Sequence, residues 1–268
     1  GDRIPVLKGD DDVKPDAGGD VVLPRPAVND SWPQSGGFAN FAMHHLEIGD
    51  APQVAWSVDV GSGSGSDRQL LTPPVVANGR VFVKDAQGTV SAYDAATGGL
   101  IWRVTLRSKG GRDDNEFGGG LAFYGNRLFA STGFAEVMSL NPDDGAIIWR
   151  KAVSAPVRGA PTVFQDRVFA ISVDNKLHAL AAVDGAELWE FAALQENASF
   201  LSGPSASASG EFVVAPFSSG ELVALRLDNG RQVWNESLIA QRRGGAQSLA
   251  ALSDIRGRPV IDRGRVLA

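Results

Sequence analysis

The chain of 268 residues has no cysteine, only three histidines, two methionines and two tyrosines. Without cysteine there is no disulfide, no thiolate-held zinc and no thiol nucleophile. Three histidines leave little material for a zinc site or a hydrolytic triad. His44 and His45 are adjacent and would point apart on a strand, and His178 stands alone in an alternating segment as a packed or surface residue. No apolar run approaches the roughly 18 residues that span a bilayer. No signal pattern is visible, and Gly1-Asp2-Arg3-Ile4 reads as a processed or trimmed start. Positive charge is also short: 25 Lys and Arg against 31 Asp and Glu give a net charge of -6. That balance repels phosphate backbones and anionic lipid, so no nucleic acid partner is expected. Long 3.6-residue apolar periodicity is missing as well, so helices should be few and short.

What is present is a repeat. The six tryptophans are Trp32, Trp56, Trp102, Trp149, Trp189 and Trp234, and from Trp56 onward the gaps are 46, 47, 40 and 45 residues. A period of about 40–50 residues is that of a propeller blade. Ala92, Ser139, Ala179 and Ala224 each stand six residues before Gly98, Gly145, Gly185 and Gly230, and a tryptophan follows each glycine by four. Within a repeat, short alternating segments are broken by turn pairs such as Asn78-Gly79 and Gly125-Asn126. Such pairs favour the positive φ of tight hairpins. The fold class is therefore all-β: a propeller of four-stranded antiparallel blades, with about four blades in this chain.

A four-stranded blade cannot bury both faces alone, so stacked blades bury them against each other. Trp102, Trp149, Trp189 and Trp234 are assigned to that structural role. Residues 1–50, rich in Asp, Gly and Pro, read as a tether and extended arm, with Trp32-Pro33-Gln34 packing on the propeller. Residues 51–268 read as a partial propeller, with repeats ending near residues 102, 149, 189 and 234. A fifth repeat opens at Pro259-Val260 and is truncated, whereas Val54–Val58 resembles the last strand of a blade lacking its other strands. Open strand edges are usually covered. The missing blades are therefore expected from a second chain, a second copy or a C-terminal part.

Other polar clusters carry plainer readings. Asp113-Asp114-Asn115-Glu116 lacks the alternate spacing of a calcium loop. Gly118-Gly119-Gly120 is not followed by Lys and Ser or Thr, so close backbone approach near the channel explains it better than phosphate binding. The run Gly61–Ser66 reads as a flexible loop, and Arg242-Arg243 as surface charge. No metal or cofactor site is expected.

The pattern Ala92-x-Asp94-x-x-Thr97-Gly98-x-x-x-Trp102 resembles the tryptophan motif of pyrroloquinoline-quinone-type propellers. Within that superfamily the chain resembles the BamB family of outer-membrane assembly lipoproteins, through Trp32–Gly37, Pro156–Pro161 and Leu252-Ser253-Asp254-Ile255. The resemblance implies an eight-bladed ring, of which this chain is roughly half. It also implies a periplasmic location, lipid-anchored to the outer membrane of Gram-negative bacteria through an anchor not in this chain. The implied role is a non-enzymatic scaffold that binds a POTRA domain of BamA. In the family two neighbouring loops dock that partner. Leu201 and Gly203 match the first, with Ser202 where an arginine is expected; Ser253 and Asp254 match the second, with Arg256 replacing an acid. Rival readings are a quinone-dependent dehydrogenase on the same superfold, or a periplasmic sensor domain.

Overall fold

In a computed structural model the described residues are 23–65, 73–108, 118–194, 203–238, 255 and 257–268. They form only strands, turns and extended segments. Sheet 1 holds β1 (Val75–Ala77), β2 (Arg80–Lys84), β3 (Thr89–Asp94) and β4 (Leu100–Thr105). Sheet 2 holds β5 (Leu121–Tyr124), β6 (Arg127–Thr132), β7 (Glu136–Leu140) and β8 (Ile147–Ala152). Sheet 3 holds β9 (Thr162–Phe164), β10 (Arg167–Ser172), β11 (Lys176–Ala181) and β12 (Glu187–Ala192). Sheet 4 holds β13 (Ser207–Ser209), β14 (Phe212–Pro216), β15 (Glu221–Arg226) and β16 (Gln232–Ser237), and β17 (Val260–Asp262) pairs with β18 (Arg265–Leu267). Every pairing is antiparallel between consecutive strands, and the inner strands β1, β5, β9, β13 and β17 lie side by side.

Local chemistry sets these hairpins. The first turn of sheets 1, 2 and 3 and of the β17–β18 pair has two successive residues at positive φ, as at Asn78 (52°) and Gly79 (69°). That geometry matches the strand twist. Alternation then sends one face of each sheet toward its neighbour on either side. Phe82 and Trp102 of sheet 1 pack with Leu128 and Met138 of sheet 2; Phe129 and Trp149 of sheet 2 pack with Val168 and Leu180 of sheet 3. Phe169 and Leu177 of sheet 3 pack with Val213, Phe217 and Leu225 of sheet 4, and Val214 and Leu222 pack with Ile261 and Val266.

The tryptophan motif is a latch between successive sheets. The indole N–H of Trp102 donates to the Pro142 carbonyl at 2.8 Å, that of Trp149 to Ala182 at 3.0 Å, and that of Trp189 to Leu227 at 3.1 Å. Each acceptor lies three residues before the turn glycine of the following sheet. The ring lies flat on that glycine: a Cβ on Gly185 would stand 2.7 Å from Cε3 of Trp149, at a φ of +75° that side chains rarely adopt. The small residue six positions earlier has its own cause. Ala92, Ser139, Ala179 and Ala224 are the cross-strand partners of the four tryptophans, each at a β-bulge, and all are fully buried or nearly so.

Two expectations need correction. Trp234 is 37% exposed and its indole meets no acceptor among the described residues. Among the described residues the sheet beyond it contributes β17 and β18, and no glycine turn meets the ring. Trp56, which the sequence did not place among the structural tryptophans, does use the latch: its indole donates to Ala95 at 3.0 Å and covers Gly98. Its segment Val54–Val58 is extended but pairs with no strand among the described residues.

The arm packs as expected and reaches further. Trp32 forms a two-way backbone bridge with Val76, and Phe123 N–H donates to Pro33. The Gln34 amide donates to the Val163 carbonyl (2.7 Å) and accepts from the Val163 N–H (3.0 Å). Ala208 N–H donates to Ala39, and Ile261 N–H to Asn40. Val76, Phe123, Val163, Ala208 and Ile261 are all two residues before their hairpin turns, so the arm crosses the same level of five inner strands.

Candidate protein-binding surface

Each sheet passes to the next through a connector from its outer strand to the following inner strand. The connector between β8 and β9 is described throughout. Val153 N–H donates to Ala135, Val157 N–H to Thr132, and Val173 N–H to Pro156. Near its end, Arg158 accepts from Gly119 N–H, and the Ser131 hydroxyl donates to Gly159 at 2.6 Å. A methyl group on Gly119 would overlap the Ser131 carbonyl and one on Gly118 would crowd the Arg158 backbone, so these two glycines serve close backbone approach.

The two expected docking loops are the next two connectors. Leu201, Ser253, Asp254 and Arg256 lie outside the described residues. Gly203 is described, at the end of its loop. It is pressed backbone to backbone against Arg158 and Gly159, with no room for a side chain. Its requirement for glycine thus comes from packing against the neighbouring connector.

Asn175 anchors the first loop, and sequence reasoning missed it. It sits in the β10–β11 turn at a φ of 59°, buried. Its amide donates to Leu194, the last described residue before the loop, at 2.6 Å. Its carbonyl oxygen accepts from the Ser218 hydroxyl (2.7 Å) and N–H (3.2 Å) in the β14–β15 turn. That turn in turn holds the base of the second loop, because Leu238 N–H donates to Gly220. The two loops therefore spring from neighbouring, hydrogen-bonded bases. The Asp174-Asn175 pair between alternating segments is a turn signal, but nothing local marked its reach across 43 residues.

Several other candidates are placed. His44 approaches Asp262 at 3.7 Å while His45 Nδ1 lies 2.7 Å from the Pro24 carbonyl, so the pair does diverge. Gly61 and Ser62 are held rather than loose: the Asp85 carboxylate accepts from Ser62 N–H, and the Ser62 hydroxyl donates to Gln87. Residues 113–116 and 242–243 lie outside the described residues. Among the described residues no three His, Asp or Glu side chains gather in a way that could hold a metal ion. The arm roofs a cavity of about 360 Å³ between Gln34, Phe38, Phe123, Val163 and Ala208, with walls mostly apolar.

Four-stranded sheets latched indole-to-turn around adjoining inner strands define a β-propeller of the tryptophan-docked kind. The same architecture occurs in BamB from Moraxella catarrhalis, with a TM-score of 0.61 at 20% identity over 70% of this chain and 54% of that one. It occurs also in a quinohemoprotein alcohol dehydrogenase from Pseudomonas putida HK5, with a TM-score of 0.62 at 17% identity over 78% and 40%. At such identities the likeness concerns the fold alone. The family model described as outer membrane protein assembly factor BamB matches residues 49–114 and 86–268, and the chain belongs to that family. The BamB of Escherichia coli (strain K12) is 31% identical over 81% of this chain and 55% of its own length. The chain spans about half the length of the curated relatives it matches.

Proposed function

We propose that this chain is a non-enzymatic scaffold of the outer-membrane β-barrel assembly machinery, on the periplasmic face of the membrane, docking a POTRA domain of BamA through residues 195–203 and 239–256. The observation that carries the reading is the paired anchoring of these two connectors by Asn175 and Gly220. Loops held on a stiff base lose little entropy on docking, so a modest contact area suffices for binding. Leu201 would supply an apolar contact and Asp254 a charge, with Ser253 and Arg256 at the rim. Residues 1–50 act as tether and arm, the membrane being reached through a lipid anchor. A partner that completes the fifth sheet would cover Trp234.

The test is titration calorimetry of the purified chain against the BamA POTRA domains. Asp254→Lys combined with Leu201→Glu should weaken binding at least tenfold, and Asn175→Ala should weaken it less by loosening the loop base. Unchanged affinity in the double variant would remove the docking assignment. Membership of a family of assembly factors supports the non-enzymatic reading over the dehydrogenase one, and a spectroscopic titration with quinone and calcium tests that directly.

A further inference from the structure

The isolated histidine of the sequence is not isolated in the fold. His178 lies on β11, on the face turned toward sheet 2, and is 1% exposed. Its Nε2 lies 3.1 Å from the hydroxyl of Ser154 and 3.1 Å from that of Ser172. Its Nδ1 lies 3.4 Å from the carboxylate of Glu190, its cross-strand neighbour on β12. Glu187 on the same strand stands further away, at 3.9 Å.

Proton positions follow from the partners. Ser172 donates its single proton to the Asp174 carboxylate in a short hydrogen bond. Nδ1 makes no hydrogen bond, but the Glu190 carboxylate beside it, held from its other side by Lys176 at 2.9 Å, attracts the imidazole proton to that nitrogen. Nε2 is then a lone-pair acceptor, and the proton left for it is that of Ser154. Ser154 is an exposed residue of the connector between β8 and β9, fixed on both sides by the Val153 and Val157 backbone hydrogen bonds. The N–H groups of Ser154 and Ala155 donate to no described group.

We infer that Ser154 is a base-activated nucleophile, taking acyl groups from small activated esters, with His178 as general base and Glu190 as the residue that positions it. In the step, the Ser154 Oγ–carbon bond forms as its proton passes to Nε2. The bond to the leaving alkoxide or phenoxide breaks, and that group takes the proton; water later hydrolyses the acyl-serine by the same route. Burial is the largest influence on His178 and holds it below its ordinary pKa, against the opposing pull of Glu190, Glu187 and Asp174, so the ring is neutral at pH 7. This chemistry is independent of the two docking loops and goes beyond the scaffold reading, whose non-enzymatic part it would replace.

The experiment treats the purified chain with a fluorophosphonate probe and with p-nitrophenyl acetate. The probe should attach to Ser154, displacing fluoride, and the ester should release a burst of about one p-nitrophenol per chain. His178→Gln should slow both by about 100-fold, the usual scale for a general base. Glu190→Gln should slow labelling and move its pH profile downward, because loss of the carboxylate destabilises the imidazolium; a merely structural role would not move the profile. Peptide mapping on the unsubstituted protein decides whether Ser154 reacts, whatever the folding of the variants. An adduct elsewhere, no adduct, or an equal rate in a folded His178→Gln chain overturns the inference.

Discussion

Replacing Trp149 and Trp234 separately by alanine tests the latch against a matched control, since both residues occupy the same place in their repeats. Trp149 is 9% exposed and tilts against Phe129 with ring centroids 6.0 Å apart. Burial of a tryptophan removes roughly 150–250 Å² from water, about 4–6 kcal/mol gross at 25 cal/mol per Å². Truncation leaves a cavity and should cost about 3–5 kcal/mol. The lost hydrogen bond adds little, because the Ala182 carbonyl also accepts from Arg127 at 3.2 Å. Trp234 is 37% exposed and faces Val214 instead of a phenylalanine at the matching position. With about two thirds as much ring surface buried and no indole hydrogen bond, its truncation should cost about 1–3 kcal/mol. Urea unfolding followed by far-UV circular dichroism reads both. With a slope near 2 kcal/mol per molar, the Trp149 variant should lose about 2 M in midpoint and the Trp234 variant about 0.5–1.5 M. Equal losses, or a larger loss at Trp234, would refute the assignment of stability to the indole–glycine latch.

Three further outcomes follow from the same structure. Gly185→Ala places a methyl group against the Trp149 ring at a positive φ, and should lower stability by about 2–4 kcal/mol in the same unfolding assay. Gln34→Ala leaves the buried Val163 N–H and carbonyl without the arm; a loss of about 2–4 kcal/mol and fast hydrogen exchange at Val163 are expected. Asp94 is held below its ordinary pKa by the Thr97 hydroxyl and backbone N–H. Its contribution is therefore present above the ordinary value of 3.8 and is lost as the pH falls through the lower folded one. Asp94→Asn should flatten the acid limb of a stability–pH curve, and an unchanged limb would contradict this.

The parts of the fold legible in the sequence are those with a local cause. Asn78-Gly79 marks a hairpin because its backbone geometry belongs to those two residues. The fixed offset from Ala179 to Gly185 to Trp189 is visible because one turn and one bulge create it. Partners set by distant chain were not legible. Nothing near Gln34 shows that it meets Val163, 129 residues away, and nothing near His178 shows the connector that brings Ser154 to its ring. Trp234 looked buried because its own repeat is complete; its exposure depends on the sheet that follows. Most of the candidate docking residues lie outside the described residues, so the loop bases are what structure adds to the site. Asn175 was unremarkable as a turn residue until its amide was seen to join three segments.

The route of the arm has a consequence for how the sheets come apart. In stacked repeat arrays each unit holds only its neighbours, so ends can peel away while the middle persists. Here one strip of backbone, residues 32–40, is stitched to β1, β5, β9, β13 and β17 alike. Pulling any one blade loose tugs on a seam shared by all five, so the arm turns a row of dominoes into a bundle bound by a single cord.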